Sequence, residues 1–316
     1  MKLNVPYKTL AFTLYSKCSA ACSMCCFECT PQSSDKLDVE RVKDYIKESA
    51  EIDEITTISF TGGEPFLKYN LLLDLVKFAS MYNKRVTTIS NGFWATSYEV
   101  AYKKLSELKA NGLQHISTSH DSYHKEYIKT EYVANLLRAA SDLGLASTLA
   151  IVKMKDEDIG EILNKLGNSI YSTALEIVPC LPAGGAKKNF SNDSFDRTIS
   201  TNQGLPCIYS GNIVVGFDGN IYPCCSQVVF ETGLSIGNYH DLNLKEALLK
   251  TKNNGLLYLL RNKNLSLFSE FAKESLNIEI PEKVVNPCEL CSILFQKKNL
   301  PKYKEFIEQN IQKLTN

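Results

Sequence analysis

Between residues 10 and 179, short apolar runs rich in β-branched and aromatic residues alternate with longer stretches whose apolar positions recur at helical spacing. The short runs, at 10–15, 55–60, 85–89, 114–119, 148–152 and 175–178, read as six strands, and helices are expected between them, among others at 38–51, 71–81, 98–110 and 157–166. This alternation is the mark of βα units and an α/β fold with a parallel sheet. Six right-handed units curl into a partial (βα)6 barrel of the TIM-like kind, with its active site at the C-terminal ends of the strands. Past 179 the pattern changes: 181–186 is rich in turn formers, 189–201 is polar, and a second module is expected from 189 to 316 beside a core at 1–188. Its clearest element is a hairpin, 213–217 and 221–223, for which Asp218-Gly219 fits a type I′ turn. Helices are expected at 244–251, 255–261 and 302–313.

Charge and composition narrow the field of functions. Lys+Arg and Asp+Glu number 35 each, so there is no general attraction for phosphate, and no nucleic-acid partner is expected. Neither a secretory h-region nor a long apolar span appears, so no membrane association is expected and the chain reads as cytoplasmic. In a reducing compartment, eleven cysteines are better explained as metal ligands or reactive thiols than as disulfides.

The first strand runs into Cys18-Ser-Ala-Ala-Cys22-Ser-Met-Cys25, which offers three thiolates to one [4Fe-4S] cubane and no fourth at matching spacing. A cluster with one open iron can chelate the amino and carboxylate groups of S-adenosylmethionine (SAM) and pass it an electron, which yields a 5′-deoxyadenosyl radical. Zinc or buried structural thiols are the plainer alternatives. The C-x3-C-x2-C spacing resembles the signature of the radical SAM superfamily, and Gly62-Gly63-Glu64-Pro65 closes the second strand with a motif resembling the one that receives the SAM amino group there. Paired glycines let backbone approach a ligand, and a carboxylate accepts from an ammonium. The same resemblance assigns Asn91, after strand three, and Ser119, on strand four, to SAM. Met24 stands where the superfamily often has an aromatic residue near adenine, and a thioether can fill that space.

Cys207 and Cys224 flank the hairpin, Gly219 precedes Cys224 by five positions, and Cys288-Glu-Leu-Cys291 adds a C-x2-C pair. Four thiolates suit a structural zinc as well as an iron–sulfur cluster. The arrangement resembles the start of the SPASM and twitch extensions, which implies one auxiliary [4Fe-4S] cluster held by Cys207, Cys224, Cys288 and Cys291.

Cys225 is left over, because adjacent side chains of an extended segment point to opposite sides. A free S–H can give a hydrogen atom to a carbon radical. Cys26, Cys29 and Cys180 read as small buried hydrophobes, and Asp121, Tyr123 and His124 as structural. The segments at 25–31, 58–64, 89–94, 219–226 and 230–232 together resemble the YydG/EpeE radical SAM peptide epimerases of epipeptide biosynthesis. That resemblance implies conversion of L-valine and L-isoleucine to D-residues in a ribosomally made precursor peptide, with Cys225 as hydrogen donor and an electron donor such as flavodoxin or ferredoxin. The rival readings are a peptide maturase that forms thioether or carbon–carbon crosslinks and a non-catalytic, cysteine-rich metal-binding protein.

Overall fold

The computed structural model describes residues 8–208 and 211–314. Six strands, β1 (Thr9–Thr13), β2 (Thr57–Thr61), β3 (Arg85–Ser90), β4 (Leu113–Ser119), β5 (Ala146–Lys153) and β6 (Ala174–Pro179), pair in chain order, all parallel. The helices α1 (Val39–Ser49), α2 (Tyr69–Ser80), α3 (Tyr98–Ala110), α4 (Ser122–Lys125), α5 (Thr130–Asp142) and α6 (Gly160–Leu166) lie between them. Each long helix buries the stripe that its sequence period requires: Val42, Tyr45, Ile46 and Ser49 on α1, and Leu72, Leu75, Val76 and Ala79 on α2. Asp38 caps α1 by accepting from Arg41 N–H, and Ser97 caps α3 through Val100 N–H. Parallel pairing and burial on both faces account for the apolar strand cores, with Leu10, Phe12, Ile58 and Phe60 fully enclosed.

The chain continues through α7 (Gly185–Asn189) and a short strand β7 (Ile199–Ser200) to β8 (Asn212–Val215), β9 (Asn220–Tyr222) and β10 (Gly237–Asn238). The hairpin expected in a separate module adds to the barrel sheet instead. β8 pairs in parallel with β1, Thr9 opposite Asn212, so the sheet has nine strands in the order β10-β9-β8-β1-β2-β3-β4-β5-β6. Ile213, Val215 and Ile221 accordingly join the barrel core. The hairpin turn also differs from expectation. A type I′ turn needs positive φ at both central residues, but of Asp218 and Gly219 only Gly219 has it, at +80°. Gly219 N–H returns to Gly216 O, so the reversal is a turn over 216–219 closed by a left-handed glycine. The strand therefore stops at Val215 rather than at Phe217.

The segment after β10 is stitched to α1. Arg41 donates to the carbonyls of Tyr239 (2.9 Å) and Leu242 (2.8 Å), Tyr45 donates to Leu242 O, and Glu48 accepts from Leu244 N–H (2.6 Å). The remaining helices, α8 (Leu244–Lys252), α9 (Gly255–Asn262), α10 (Ser266–Leu276), α11 (Pro287–Leu294) and α12 (Lys304–Gln312), follow, and β11 (Lys283–Val284) pairs antiparallel with β7. The helix expected at 302–313 starts at Lys304, because Leu300–Tyr303 winds as a 3-10 turn. α9 to α12 enclose a second core, in which Phe268 packs edge-on against Phe295, Tyr303 and Phe306. Phe268→Ala leaves a ring-sized hole in that cluster and is expected to cost about 3–5 kcal/mol of stability, measured by urea unfolding.

Candidate active site

Three thiols gather in the loop that leaves β1. Its backbone is tied at several points: Cys18 N–H donates to Thr30 O (3.0 Å), Cys25 N–H to Cys22 O (3.0 Å), and Cys25 O accepts from Gly185 N–H (2.9 Å). Phe27 packs edge-on against Phe217 and Phe230, which fastens the loop to the region of the hairpin. Cys18, Cys22 and Cys25 all line a cavity of about 420 Å³ that runs from the C-terminal ends of the strands down the barrel to Thr9 and Asn212. That volume lies within the roughly 300–1,000 Å³ of small-molecule sites.

The wall facing the loop is built around Glu64, which has no solvent exposure. Its Oε1 accepts from Phe66 N–H (2.9 Å) and Ser90 O–H (2.9 Å), and its Oε2 accepts from Asn91 N–H (2.7 Å). Burial pushes its carboxyl up to about 7 against these donors. Ser90 Oγ in turn accepts from Trp94 Nε1 (2.9 Å), whose ring stacks on Phe66 at 4.1 Å. Asn91 Nδ2 then reaches the cysteine loop, donating to Ser19 Oγ (3.0 Å) and toward Cys18 Sγ (3.6 Å). The glycines have a steric reason for being there: a Cβ on Gly63 would lie 2.0 Å from Lys17 O, and one on Gly62 would lie 2.6 Å from Tyr15 O. Gly63 and Glu64 N–H groups bond to Tyr15 O and Lys17 O in that close approach.

Of the residues expected at the SAM site, Met24, Gly62, Gly63, Asn91 and Ser119 line the cavity. Glu64 and Pro65 do not; they are buried behind its wall, and the Glu64 carboxylate faces Ser90 and Asn91. Three residues read from sequence as structural or plainly buried, Cys26, Cys29 and His124, do reach the cavity. His124 lines it, and its Nδ1 lies 2.9 Å from Asp121 Oδ1. Burial alone would keep that ring neutral, but the Asp121 carboxylate outweighs it and raises the pKa of His124. The Asp-x-x-His spacing just after β4 was the available signal. Cys29, expected as a plain buried hydrophobe, lies beside Cys25 and lowers the pKa of that thiol, while its own Sγ donates to Phe27 O (3.9 Å). Cys18, by contrast, is pushed up to about 11 by burial, with the neighbouring Glu64 and Cys25 charges adding to it, and burial and the Cys25 and Cys18 charges raise Cys22 further.

The second set of thiols is separate. Cys207, Cys224, Cys288 and Cys291 all line a small cavity of about 30 Å³, far too small for an organic substrate. α11 presents Cys288 and Cys291 one turn apart, and Asn286 caps it by accepting from Cys288 N–H (2.9 Å). Buried Glu289 holds the approach to that helix, accepting from Arg197 Nε (2.7 Å) and Val285 N–H (2.7 Å). Burial and neighbouring thiols disfavour the thiolates of Cys224, Cys288 and Cys291. Cations among these sulfurs would relieve that repulsion, at this cavity and at the first. No group of three or more His, Cys, Asp or Glu among the described residues is arranged for a single metal ion. A cubane gives each thiolate its own iron, so its ligands surround a volume rather than meet at a point. Cys225, next to Cys224, opens on the large cavity instead, and its Sγ accepts from Asn212 Nδ2 (2.8 Å).

A parallel barrel with a three-thiol loop after its first strand and a SAM-sized cavity at the strand ends defines a radical SAM enzyme. Residues 12–166 match the Radical SAM superfamily. The chain is 31% identical over 296 residues to the putative peptide biosynthesis protein YydG of Bacillus subtilis (strain 168), over 91% of this chain and 92% of that protein. It belongs to the radical SAM superfamily and, within it, to the family of YydG. Among solved structures, BtrN in complex with AdoMet and 2-DOIA shares the fold at 17% identity (TM-score 0.53, 81% of this chain and 88% of that one). Native anSMEcpe with bound AdoMet and Cp18Cys peptide does so at 15% identity (TM-score 0.53, 95% and 99%). Membership implies a [4Fe-4S] cluster and SAM, and the three-thiol loop and the large cavity fit them.

Glu64→Gln replaces an acceptor oxygen with an N–H that must face Asn91, Phe66 or Ser90 donors. It is expected to lower stability by about 1–3 kcal/mol despite its similar shape, measured by urea unfolding.

Proposed function

We propose that this enzyme is a peptide epimerase, which inverts Cα of selected residues, valine and isoleucine first among them, in a ribosomally made precursor. The observation that carries the reading is the divergence of two adjacent thiols: Cys224 lines the small four-cysteine cavity, and Cys225 lines the cavity shared with Cys18, Cys22 and Cys25. When bound, the first cluster and SAM supply a 5′-deoxyadenosyl radical able to remove a Cα hydrogen. The planar carbon radical that results takes a hydrogen atom from the S–H of Cys225 on its other face, so the C–H bond formed inverts the centre and the S–H bond broken leaves a thiyl. One electron from a donor such as flavodoxin or ferredoxin and one proton from water restore the thiol. Desolvation by the surrounding protein raises the pKa of Cys225 above the ordinary thiol value. Relationship to a peptide biosynthesis protein supports a peptide as substrate.

The reading is tested by incubating the anaerobically reconstituted enzyme with SAM, a strong reductant and a library of synthetic valine- and isoleucine-containing peptides in D2O. The expected product carries one deuterium at Cα and is otherwise unchanged; a product lighter by two hydrogens identifies a crosslinking enzyme and sinks the proposal. Cys225→Ala is expected to form 5′-deoxyadenosine but no D-residue, and normal epimerisation by that variant overturns the donor role.

We also propose that Cys207, Cys224, Cys288 and Cys291 hold an auxiliary [4Fe-4S] cluster. Iron analysis is then expected to give about eight irons per polypeptide, and about four in a Cys288→Ala/Cys291→Ala variant. About four irons in the unmodified enzyme contradicts it, and bound zinc identifies the alternative.

A further inference from the structure

Among the described residues, β6 is the last strand of the sheet and pairs only with β5. Its backbone directions follow from one hydrogen bond just beyond it, where Cys180 N–H donates to Lys153 O on β5 (2.9 Å). Peptide groups alternate along a strand, so Glu176 and Val178 turn their N–H and C=O groups toward β5, while Leu175 and Ile177 turn theirs to the open edge. Pro179 falls on the open-edge register, where the lack of an N–H removes no bond to β5.

The side chains alternate as well. Val178 lines the large cavity, and Glu176, two residues back, shares its face. Leu175 and Ile177 stand on the other face, 46% and 48% exposed. Proteins normally protect such an edge with lysine, a bulge or a covering element. Among the described residues no lysine, bulge or covering element guards β6, and its protection is confined to Pro179 at its end and the Glu176 charge on the cavity face, while all of 174–177 is exposed.

We propose that the substrate peptide binds as an added extended strand along this edge, hydrogen-bonded to the backbone of Leu175 and Ile177. The proposal rests on the peptide-substrate reading above and says how that substrate is held. The occupant is fixed by continuity with the reaction cavity, because the edge runs into it at Val178. Backbone bonding of this kind tolerates varied sequence. Alternate side chains of the peptide would then enter the cavity, and those between them would lie over the exposed faces of Leu175 and Ile177.

The experiment uses the reconstituted full chain with SAM and the library peptide that it turns over best. Amide hydrogen exchange at Leu175 and Ile177 is expected to slow at least about tenfold when that peptide is added, with Glu176 and Val178 unchanged. Ile177→Pro removes one outward N–H without touching the bonds to β5. It is expected to raise KM for the peptide about tenfold and leave 5′-deoxyadenosine formation without peptide unaltered. Turnover without slowed exchange at Leu175 and Ile177 overturns the proposed edge and leaves the epimerase reading standing. Slowed exchange in the absence of peptide that grows with enzyme concentration assigns the edge to a second copy of the chain and also overturns it. If no library peptide is turned over, the functional reading fails and the binding edge fails with it.

Discussion

A carboxylate cut off from solvent must find its hydrogen bonds within the protein, and Glu64 finds them in two different pieces of the cavity wall. Phe66 N–H comes from its own turn, and Ser90 O–H and Asn91 N–H come from the end of the neighbouring strand. The donors tie the β2 and β3 ends together beyond the last rung of their ladder, and Asn91 carries that connection onward to Ser19 and Cys18. The glycines that precede Glu64 let the β1 exit pass within bonding distance, so the cysteine loop is referenced to the same point from its other side. An unpaired carboxylate at this depth would cost several kcal/mol, which is the reason the network is complete.

The thiols are arranged by the opposite logic. Burial and mutual charge disfavour thiolates at Cys18, Cys22, Cys224, Cys288 and Cys291, so each cavity is electrostatically unfinished as protein alone. Cys25 differs because Cys29 and two backbone N–H groups already stabilise its anion.

Much of this was legible in sequence because it is periodic or local. The six barrel strands follow from apolar runs between helical stretches, and the three-thiol spacing lies within one loop. The placement of β8 was not legible: it joins β1 through Thr9 opposite Asn212, a pairing that no local pattern encodes, so the hairpin looked like the start of a separate unit. The hairpin turn was misread because Asp-Gly marks a type I′ turn only when both residues take positive φ, and Asp218 does not. The setting of Glu64 was not legible either: its motif placed it beside the cavity, but only three-dimensional packing shows Phe66, Ser90 and Asn91 donating to its oxygens. Cys29 looked inert because nothing in sequence spacing reveals a thiol folded back onto Cys25.

The long reach from β8 to β1 also governs the order in which the molecule can be completed. The strand that opens the barrel finds its second neighbour only after some two hundred further residues have been made, and that neighbour brings Cys225 with it. Contacts this distant in sequence form late, because their loop-closure entropy is compensated only when the intervening structure exists. During synthesis, therefore, the cysteine loop emerges first and the thiol opposite it arrives with the last wall. A nascent or truncated chain ending before residue 212 would hold the three ligands in a cleft open on the β1 side. The closing wall and the thiol that lines its cavity come as one unit.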